Sequence, residues 1–313
     1  MADTKIFAIV GPTACGKTAV SVEVAREMGG EIICCDSMQI YRGMPIGTAA
    51  PRDGEKSGVP HHLFEFLDPD VSFSCSDYVD AADCAVADIA SRGANPILVG
   101  GTGLYLDSLV LGCGDSSAAP NPELRAELQS FYGQNGVDAL YSLLVARDPE
   151  AAAAIHKNNV KRVIRALEIC HACGSKTEYD RRARQALRYD AKVVGLRFAD
   201  RARLYSRIER RVDAMLDAGL LDETRRLLDA GVFDSNTTAA QAIGYKELLP
   251  YLRGEASLES CIETIKVSTR RYAKRQMTWF SARDYVNWVD CDGIEDEKIF
   301  ENIVKNVLKV FNN

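Results

Sequence analysis

A glycine-rich segment near the start of the sequence has the residue types and spacing of a phosphate-binding loop. A glycine is followed, after four residues, by Gly-Lys-Thr, and the segment lies between an apolar run and a helix-like stretch. In such a loop backbone N–H groups surround a diphosphate, the lysine supplies positive charge, and the threonine hydroxyl can bind Mg²⁺. The predicted diphosphate-binding residues are Gly11, Pro12, Thr13, Ala14, Cys15, Gly16, Lys17 and Thr18, and Thr18 is also the predicted metal ligand. The motif indicates a diphosphate and leaves open which compound carries it.

A single carboxylate follows a second strand-like run. Asp36 comes directly after Glu31–Cys35, whereas the run that ends at Val99 continues into Gly100–Gly103 without an acidic residue. Because the carboxyl ends of parallel strands face one crevice, we expect Asp36, Thr102 and the glycine-rich loop to meet there. A carboxylate that faces a diphosphate is unfavourable unless a cation or a proton transfer accounts for it. Asp36 is therefore predicted to be functional, with a helix N-cap as the structural alternative.

Alternating strand-like and helix-like stretches would position these groups. The predicted strands are the apolar runs Ile6–Val10, Ile32–Cys35, Ile97–Val99, Val193–Leu196 and Val286–Val289. Helix-like stretches at Thr18–Met28 and Ser76–Ala90 separate the first three runs. Strands that alternate with helices form parallel sheets, so the sequence predicts an α/β fold with a P-loop NTPase-like core.

The middle of the sequence has a different pattern. Between Pro120 and about Leu187 the strand-like runs are absent, and apolar residues recur at helical spacing. Further long helices are expected at Ala202–Leu220 and Ser257–Ser281. The predicted organisation is residues 1–115 as the first part of the core, 116–188 as a helical insertion domain, and 189–313 as the completion of the core.

Charge is unevenly distributed along the chain. The net charge of the whole sequence is −6, which by itself argues against a polyanionic partner. Residues 1–155 carry nine basic and 21 acidic residues, a net charge of −12, whereas residues 156–290 carry 26 and 18, a net charge of +8. A basic segment in an acidic chain fits local contact with phosphates.

The composition favours a cytoplasmic protein without membrane contact. No apolar run is long enough to cross a bilayer, and Met1–Lys5 lacks the pattern of a signal peptide. The ten cysteines are scattered, with Cys34 and Cys35 inside an apolar run, so we expect reduced thiols rather than a disulfide framework.

Eight sequence blocks, in order and spacing, resemble the tRNA dimethylallyltransferase family. The blocks are Gly11–Thr18, Asp36–Tyr41, Ile46–Ala49, Pro60–His62, Pro96–Tyr105, Arg162–Glu168, Gln241–Lys246 and Ala273–Phe280. They extend over nearly the whole chain, and eight blocks in register are far more specific than a phosphate-binding loop alone. The resemblance is to the bacterial type of the family, because the Cys/His zinc-finger extension of eukaryotic relatives is not found.

The resemblance implies a prenyl transfer. In the family the phosphate-binding loop holds a prenyl diphosphate, here dimethylallyl diphosphate, and the aspartate matched by Asp36 is the general base. Asp36 would take a proton from the exocyclic N6 amine of an adenine beside the anticodon while that amine attacks the allylic carbon. Lys17, Arg211 and Mg²⁺ would neutralise the leaving diphosphate, and Thr102 would position the reacting groups. Arg207 lies one helical turn before Arg211, and either anion binding or solvent exposure remains open for it.

The resemblance also implies a binding surface for the tRNA anticodon stem-loop. The target adenine must leave the stacked loop to reach such a site. The residues that this implies on the tRNA side are Asp36, Ser37, Met38, Gln39, Arg125, Lys161, Arg162, Val163, Ile164, Arg165, Gln241, Ala242, Ile243, Gly244, Tyr245 and Lys246. Most of them lie in the basic segment. We expect the enzyme to act as a monomer.

Three other functions are compatible with parts of this pattern. An adenylate prenyltransferase shares the phosphate-binding loop and the Asp36 block, but the helical insertion and Gln241–Lys246 favour tRNA. A P-loop small-molecule kinase needs an acidic residue at a second strand end to hold Mg²⁺, and the run ending at Val99 has none. An RNA-binding module without catalysis leaves the phosphate-binding loop unexplained. A hydroxylated homologue of the dimethylallyl donor stays possible.

Overall fold

The computed structural model describes residues 4–112, 118, 121–185, 188–234 and 237–313. The chain divides into a first unit, Met1–Leu106 with Tyr189–Asn313, and a second unit, Asp107–Arg188. The second unit begins earlier than residue 116, the boundary expected from sequence, and its start lies inside the helix Gly103–Leu111. Among the described residues, no helix has both the length and the apolar character that crossing a bilayer requires.

A parallel sheet forms the centre of the first unit. The strands are β1 (Lys5–Val10), β2 (Gly30–Cys34), β3 (His61–His62), β4 (Asn95–Gly100), β5 (Asp190–Arg197) and β6 (Val286–Asp290). Within the described residues their order is β3-β2-β4-β1-β5-β6, and every neighbouring pair is parallel. The predicted α/β fold is confirmed. β3 was not predicted, because two residues are too few to show an alternating pattern.

Helices connect the strands and form the second unit. They are α1 (Lys17–Met28), α2 (Pro45–Thr48), α3 (Asp53–Lys56), α4 (Cys75–Ser91), α5 (Gly103–Leu111), α6 (Pro122–Arg147), α7 (Pro149–Ala154), α8 (Val160–Cys173), α9 (Lys176–Gln185), α10 (Arg201–Asp217), α11 (Leu220–Asp229), α12 (Leu249–Leu252), α13 (Leu258–Ser281) and α14 (Glu297–Asn312). The two predicted helix-like stretches, Thr18–Met28 and Ser76–Ala90, are confirmed as α1 and α4, which agree with them within a residue at each end.

The helix predicted over Ala202–Leu220 is present as α10, but it ends three residues earlier than predicted. α10 ends at Asp217, and α11 begins at Leu220. Gly219 between them has a φ of 98°, in the left-handed region that glycine adopts without the steric cost of a side chain. The break at Gly219 separates α10 from α11, and the buried residues of α11 include Glu223.

The apolar face of α10 determines where its arginines lie. Leu204, Ile208 and Val212 recur every four residues and are buried. Arg207 and Arg211 each precede one of these buried residues, so they share the neighbouring face of the helix. Packing of the apolar stripe therefore presents both guanidinium groups on one side of α10.

The second unit is a helical assembly with its own core. Leu140 and Leu144 of α6 pack with Val163, Ile164 and Leu167 of α8 in one buried cluster. The helices predicted for this part of the sequence are present, and the backbone of α6 leaves helical geometry at Gly136.

Candidate active site

The glycine-rich loop connects β1 to α1 at the carboxyl end of the sheet. The Lys17 ammonium donates hydrogen bonds to the carbonyl oxygens of Gly11 at 3.1 Å and Pro12 at 2.8 Å. Both partners belong to the loop itself, and no carboxylate of the described residues pairs with Lys17. Its charge therefore stays available to an anion bound in the loop.

A glutamine that the sequence analysis did not single out joins the loop to the end of β4. The Gln276 side-chain oxygen accepts from the Thr13 N–H at 2.8 Å, and its amide nitrogen donates to Gly101 O at 3.0 Å. Gln276 is buried on α13 beside Ala273 and Phe280. A polar residue on the apolar stripe of a helix is the sequence signal that could have identified it, because a buried amide needs partners.

Asp36 and Thr102 lie at the ends of the adjacent strands β2 and β4. The Thr102 hydroxyl accepts from the Ser37 N–H at 2.9 Å, and the Thr102 N–H donates to Cys35 O at 3.1 Å. One Asp36 carboxylate oxygen accepts from the Met38 N–H at 2.9 Å. The structure thus brings Asp36 and Thr102 together, as the order of the strands requires, and fixes the turn that carries the carboxylate.

Two arginines of α10 lie at the same edge of the sheet, and they differ in whether a protein group pairs with them. The Arg207 guanidinium donates to Ala14 O at 2.8 Å and pairs with Glu295. Arg211 makes no hydrogen bond or ion pair with a described residue. Burial lowers the pKa of Arg211 from its ordinary value, and the charge of nearby Asp36 opposes that shift. A half-buried cation without a hydrogen-bonded or ion-paired partner is unfavourable, so Arg211 is poised to bind an anion.

Tyr272 of α13 is a further group beside Asp36. Burial raises its pKa, the Asp36 charge raises it further, and hydrogen bonds with Thr102 and Gln276 partly oppose the shift. The Tyr272 phenol therefore stays protonated near neutral pH. The sequence analysis did not identify this residue, since a tyrosine on a long helix has no distinctive pattern.

Except for Thr102, these side chains line one cavity of about 670 Å³ in the first unit. Asp36, Lys17, Arg211 and Tyr272 contribute polar atoms to its wall. Apolar side chains cover another part, namely Phe64, Ile208, Val212, Met215 and Ile265. The volume lies in the range of small-ligand sites. The cavity can hold a ligand with an anionic end and an apolar end.

The block Gln241–Lys246 contributes to the same cavity. Gln241, Ala242, Ile243, Gly244 and Lys246 line it. The remaining residue, Tyr245, is fully buried behind the wall. From the Asp36 block, Ser37, Met38 and Gln39 also line the cavity.

The tRNA-binding residues predicted in the second unit differ in how they are placed. Lys161 and Arg162 are exposed on α8, whereas the side chains of Val163 and Ile164 are buried in the core of this unit. The prediction that the side chains of Val163 and Ile164 contact RNA is therefore wrong. Their positions on α8 place both side chains in the core of the second unit.

Two predicted tRNA-binding arginines already have a protein partner. Arg125 binds the buried Glu168 carboxylate through two hydrogen bonds of 3.1 and 2.8 Å. Arg165 lies 3.5 Å from the same carboxylate and donates to Ala118 O at 2.7 Å. Both arginines neutralise a buried charge, so removing either one perturbs the core as well as the surface.

The donor set of the cavity fits a magnesium ion that is bound mainly by a phosphate ligand. No cluster of three or more His, Cys, Asp or Glu side chains suited to a metal occurs in the described parts of the chain. The Thr18 hydroxyl lies in the cavity wall next to Lys17. Mg²⁺ typically keeps several waters and takes one or two protein oxygens together with substrate phosphates. Thr18 suits that role.

The fold and the cavity define a class of protein. A P-loop sheet that presents Asp36, an unpaired Arg211 and an apolar wall in one cavity is suited to a transferase whose donor combines a diphosphate with an apolar group. Comparisons with known proteins agree with this class and restrict it to enzymes that transfer an isopentenyl-type group. The family model described as IPP transferase matches residues 39–283, and the one described as Isopentenyl transferase matches residues 4–65.

Similar proteins share most of their length with this chain. A tRNA dimethylallyltransferase of Bacillus licheniformis is 48% identical over 91% of this chain and 90% of its own length. A tRNA dimethylallyltransferase of Bacillus subtilis is 46% identical with the same coverage. The full-length tRNA isopentenylpyrophosphate transferase of Bacillus halodurans has a structure that superposes with a TM-score of 0.70, at 44% identity over 99% of this chain and 100% of that one. A eukaryotic dimethylallyltransferase acting on tRNA gives a TM-score of 0.82, at 31% identity over 96% of this chain and 78% of that one.

The chain belongs to the tRNA dimethylallyltransferase family, also described as IPP transferases. The resemblance found in the sequence is thereby confirmed, and it identifies a prenyl-transferring enzyme. The kinase, adenylate prenyltransferase and non-catalytic alternatives are not supported by these comparisons.

Proposed function

We propose that this enzyme transfers the dimethylallyl group of dimethylallyl diphosphate to the N6 amine of an adenine beside the anticodon of tRNA. The observation that carries the proposal is the placement of Asp36 in the P-loop cavity, near Arg211 and Tyr272. The relatives that support it are named for this activity. A tRNA substrate implies that the enzyme acts in the cytoplasm. One chain supplies every group that lines the cavity, so a monomer is sufficient for activity.

The donor would bind with its diphosphate at the loop Gly11–Thr18. Lys17 and Arg211 supply positive charge without competing carboxylate partners among the described residues. The apolar part of the cavity wall suits the prenyl chain, because apolar surface gains free energy when it leaves water. Mg²⁺, bound by Thr18 and the diphosphate, would add further positive charge to the leaving group.

In the reaction, a bond forms between the adenine N6 atom and the allylic carbon while the bond from that carbon to the diphosphate oxygen breaks. The electron pair of the broken bond leaves with the diphosphate, where Lys17 and Arg211 stabilise the added charge. Asp36 accepts the proton that the amine loses. Thr102 holds the turn through the Ser37 N–H, which keeps the carboxylate in place.

The acceptor would approach from the side formed by Asp36–Gln39 and Gln241–Lys246. In the second unit the exposed Lys161 and Arg162 are the residues of their block most available to tRNA phosphates, whereas Arg125 and Arg165 would have to act while they also bind Glu168. Phosphate contacts of this kind position an RNA without reading its sequence.

The proposal is tested by comparing acceptors at equal concentration. The enzyme is incubated with radiolabelled dimethylallyl diphosphate and either an anticodon stem-loop or AMP, and initial rates are measured. We expect the label to enter the stem-loop at a much higher kcat/KM. Equal or faster labelling of AMP would replace the tRNA assignment by an adenylate prenyltransferase.

A further inference from the structure

A buried carboxylate lies behind the cavity wall without a cationic partner among the described residues. Glu223 of α11 is 1% exposed. Its two oxygens accept from the Ile46 N–H at 3.1 and 3.2 Å, and one of them accepts from the Gly47 N–H at 3.0 Å. A buried carboxylate is tolerated when several donors are directed at it, so these contacts tie the segment around α2 firmly to α11.

Tyr245 completes this arrangement from the other side. Its hydroxyl donates to Glu223 Oε1 at 2.6 Å, accepts from the Gly47 N–H at 3.0 Å and lies 2.8 Å from Met44 O. Burial raises the pKa of Tyr245, and the Glu223 charge raises it further. The hydroxyl is therefore protonated at neutral pH and able to donate.

Gly47 is required by the approach of the Tyr245 ring. A Cβ atom at Gly47 would lie 2.4 Å from a carbon of that ring, closer than side-chain atoms pack. The backbone of residues 44–49 thus rests directly on Tyr245. Rigid contact of this kind transmits the position of α11 to the cavity wall.

The same segment holds Gln39, three residues after Asp36. The Gln39 amide nitrogen donates to Thr48 O at 3.0 Å and to Ala49 O at 2.9 Å. Two carbonyl acceptors fix the orientation of the amide, because only its nitrogen can donate. Gln39, Gly47 and Thr48 all line the cavity.

We propose that Glu223, together with Tyr245, is a positioning residue that fixes the wall formed by residues 44–49 and Gln39 and so places the acceptor adenine against Asp36. This inference rests on the proposed function. Glu223 touches neither substrate; it acts through the backbone of Ile46 and Gly47. Its loss therefore displaces the acceptor, while the diphosphate site at Lys17 and Arg211 keeps its structure.

The test uses Glu223→Gln and Tyr245→Phe. The Gln side chain keeps the size of Glu but brings an NH₂ group towards backbone N–H donors, and the Phe side chain keeps the ring against Gly47 without the hydroxyl. Asp222→Asn is the matched control, because Asp222 is a neighbouring, exposed carboxylate that pairs only with Arg225. For each protein, the affinity for dimethylallyl diphosphate, kcat, the KM for the stem-loop and urea unfolding are measured.

We expect Glu223→Gln to lower kcat/KM for the stem-loop by roughly 10- to 100-fold, the scale of a displacement of about 1 Å at reacting atoms. Tyr245→Phe should have a smaller effect in the same direction, and Asp222→Asn none. The affinity for dimethylallyl diphosphate should change less than about twofold in all three, whereas a merely structural role would weaken both substrates together.

Wild-type kinetics in both variants, or a parallel loss of donor affinity, overturns the inference. If Glu223→Gln does not fold, Tyr245→Phe decides between the same outcomes. Absence of transfer by the wild-type enzyme would instead contradict the proposed function, so the two failures are distinguishable.

Discussion

At the scale of single residues, the neighbours of Asp36 suit a carboxylate that accepts a proton beside a bound anion. Arg211 and Tyr272 both lie close enough to interact with its charge. The carboxylate accepts only the Met38 N–H among the described groups. One oxygen is thereby held in place, and the remaining acceptor capacity is left for the amine of a substrate.

If Asp36 is the general base, its loss should stop proton transfer without removing tRNA binding. Asp36→Asn keeps an oxygen that can accept from the Met38 N–H, so the turn should persist, but the amide cannot take up a proton. We expect kcat to fall by at least ~10²-fold, the lower range for a lost general base. Stem-loop binding, measured by filter retention, should be nearly unchanged. Wild-type turnover in this variant would remove Asp36 from catalysis.

Arg211 should contribute to the affinity for the donor, dimethylallyl diphosphate. Arg211→Gln removes a half-buried cation that forms no ion pair or hydrogen bond with a described residue, so the missing charge should appear directly as weaker diphosphate binding. A hydrogen bond to a charged group contributes about 1.5–3 kcal/mol, which corresponds to roughly a 10- to 150-fold loss of affinity. Titration calorimetry with dimethylallyl diphosphate measures it. Arg203→Gln on the exposed side of the same helix is the control, and an equal effect there would argue against a specific role for Arg211.

At the level of elements, the apolar pattern of the sequence predicted the strands and helices well, but it did not predict the polar contacts between them. The runs at β1, β2 and β4 and the strand-end position of Asp36 sufficed to place the P-loop and the Asp36 carboxylate at the same edge of the sheet, because parallel strands end on the same side. The break at Gly219 was missed, since the apolar spacing continues across it. Glu223 and Gln276 were missed because their hydrogen-bond partners are distant in sequence.

Those two residues nevertheless have a common sequence signal. Each is a polar residue on the buried face of its helix, with apolar neighbours at helical spacing, as in Leu220 and Leu227 around Glu223. Such positions demand hydrogen-bond partners. The pattern can identify a candidate, but only the folded structure supplies the partner.

The second unit depends on a buried carboxylate at the junction of two helices. Asp148 caps α7 through the Ala151 N–H at 2.9 Å and accepts from Ser175 and from the N–H and hydroxyl of Thr177 at the start of α9, each at 2.8 Å. Burial alone would raise the pKa of Asp148, but these four donors outweigh burial and hold the pKa below its ordinary value of 3.8.

We expect Asp148→Asn to lower the free energy of unfolding by about 3 kcal/mol at pH 7, since hydrogen bonds to a charged group are lost. Because the folded pKa is the lower one, the stabilisation is complete above pH 3.8 and declines as the pH falls below it. Urea unfolding of both proteins at several pH values measures the difference. Asp138→Asn, an exposed carboxylate of the same unit, should change little, and a difference that grew with acid would contradict this account.

At the level of the whole molecule, the acidic chain offers a polyanion only a restricted set of unpaired basic side chains. Many basic residues of the segment 156–290 are engaged in ion pairs, as Arg165 is with Glu168 and Arg270 is with Glu209. Lys161 and Arg162 have no ion-pair partner among the described residues. The net charge of the segment therefore predicts RNA contact less well than whether each basic side chain already has an acidic partner.

The double variant Lys161→Ala, Arg162→Ala should bind an anticodon stem-loop more weakly and with a smaller salt dependence. Each phosphate contact removed lowers the slope of log affinity against log salt by roughly 0.7–0.9. Fluorescence anisotropy at several salt concentrations measures this slope. Removing Arg181 and Arg182 together, which takes the same charge from α9, is the control. Equal effects of the two variants would indicate unspecific charge attraction instead of a defined contact.

Prenylation of tRNA at one adenine, with Asp36 of the P-loop cavity as the general base, can be measured directly. The most direct measurement is mass spectrometry of nuclease fragments from tRNA incubated with the enzyme, dimethylallyl diphosphate and Mg²⁺. The account predicts a dimethylallyl group on the adenine beside the anticodon, present with wild-type enzyme and nearly absent with Asp36→Asn. Unmodified tRNA in the wild-type reaction, or a prenyl group at another position, would contradict it.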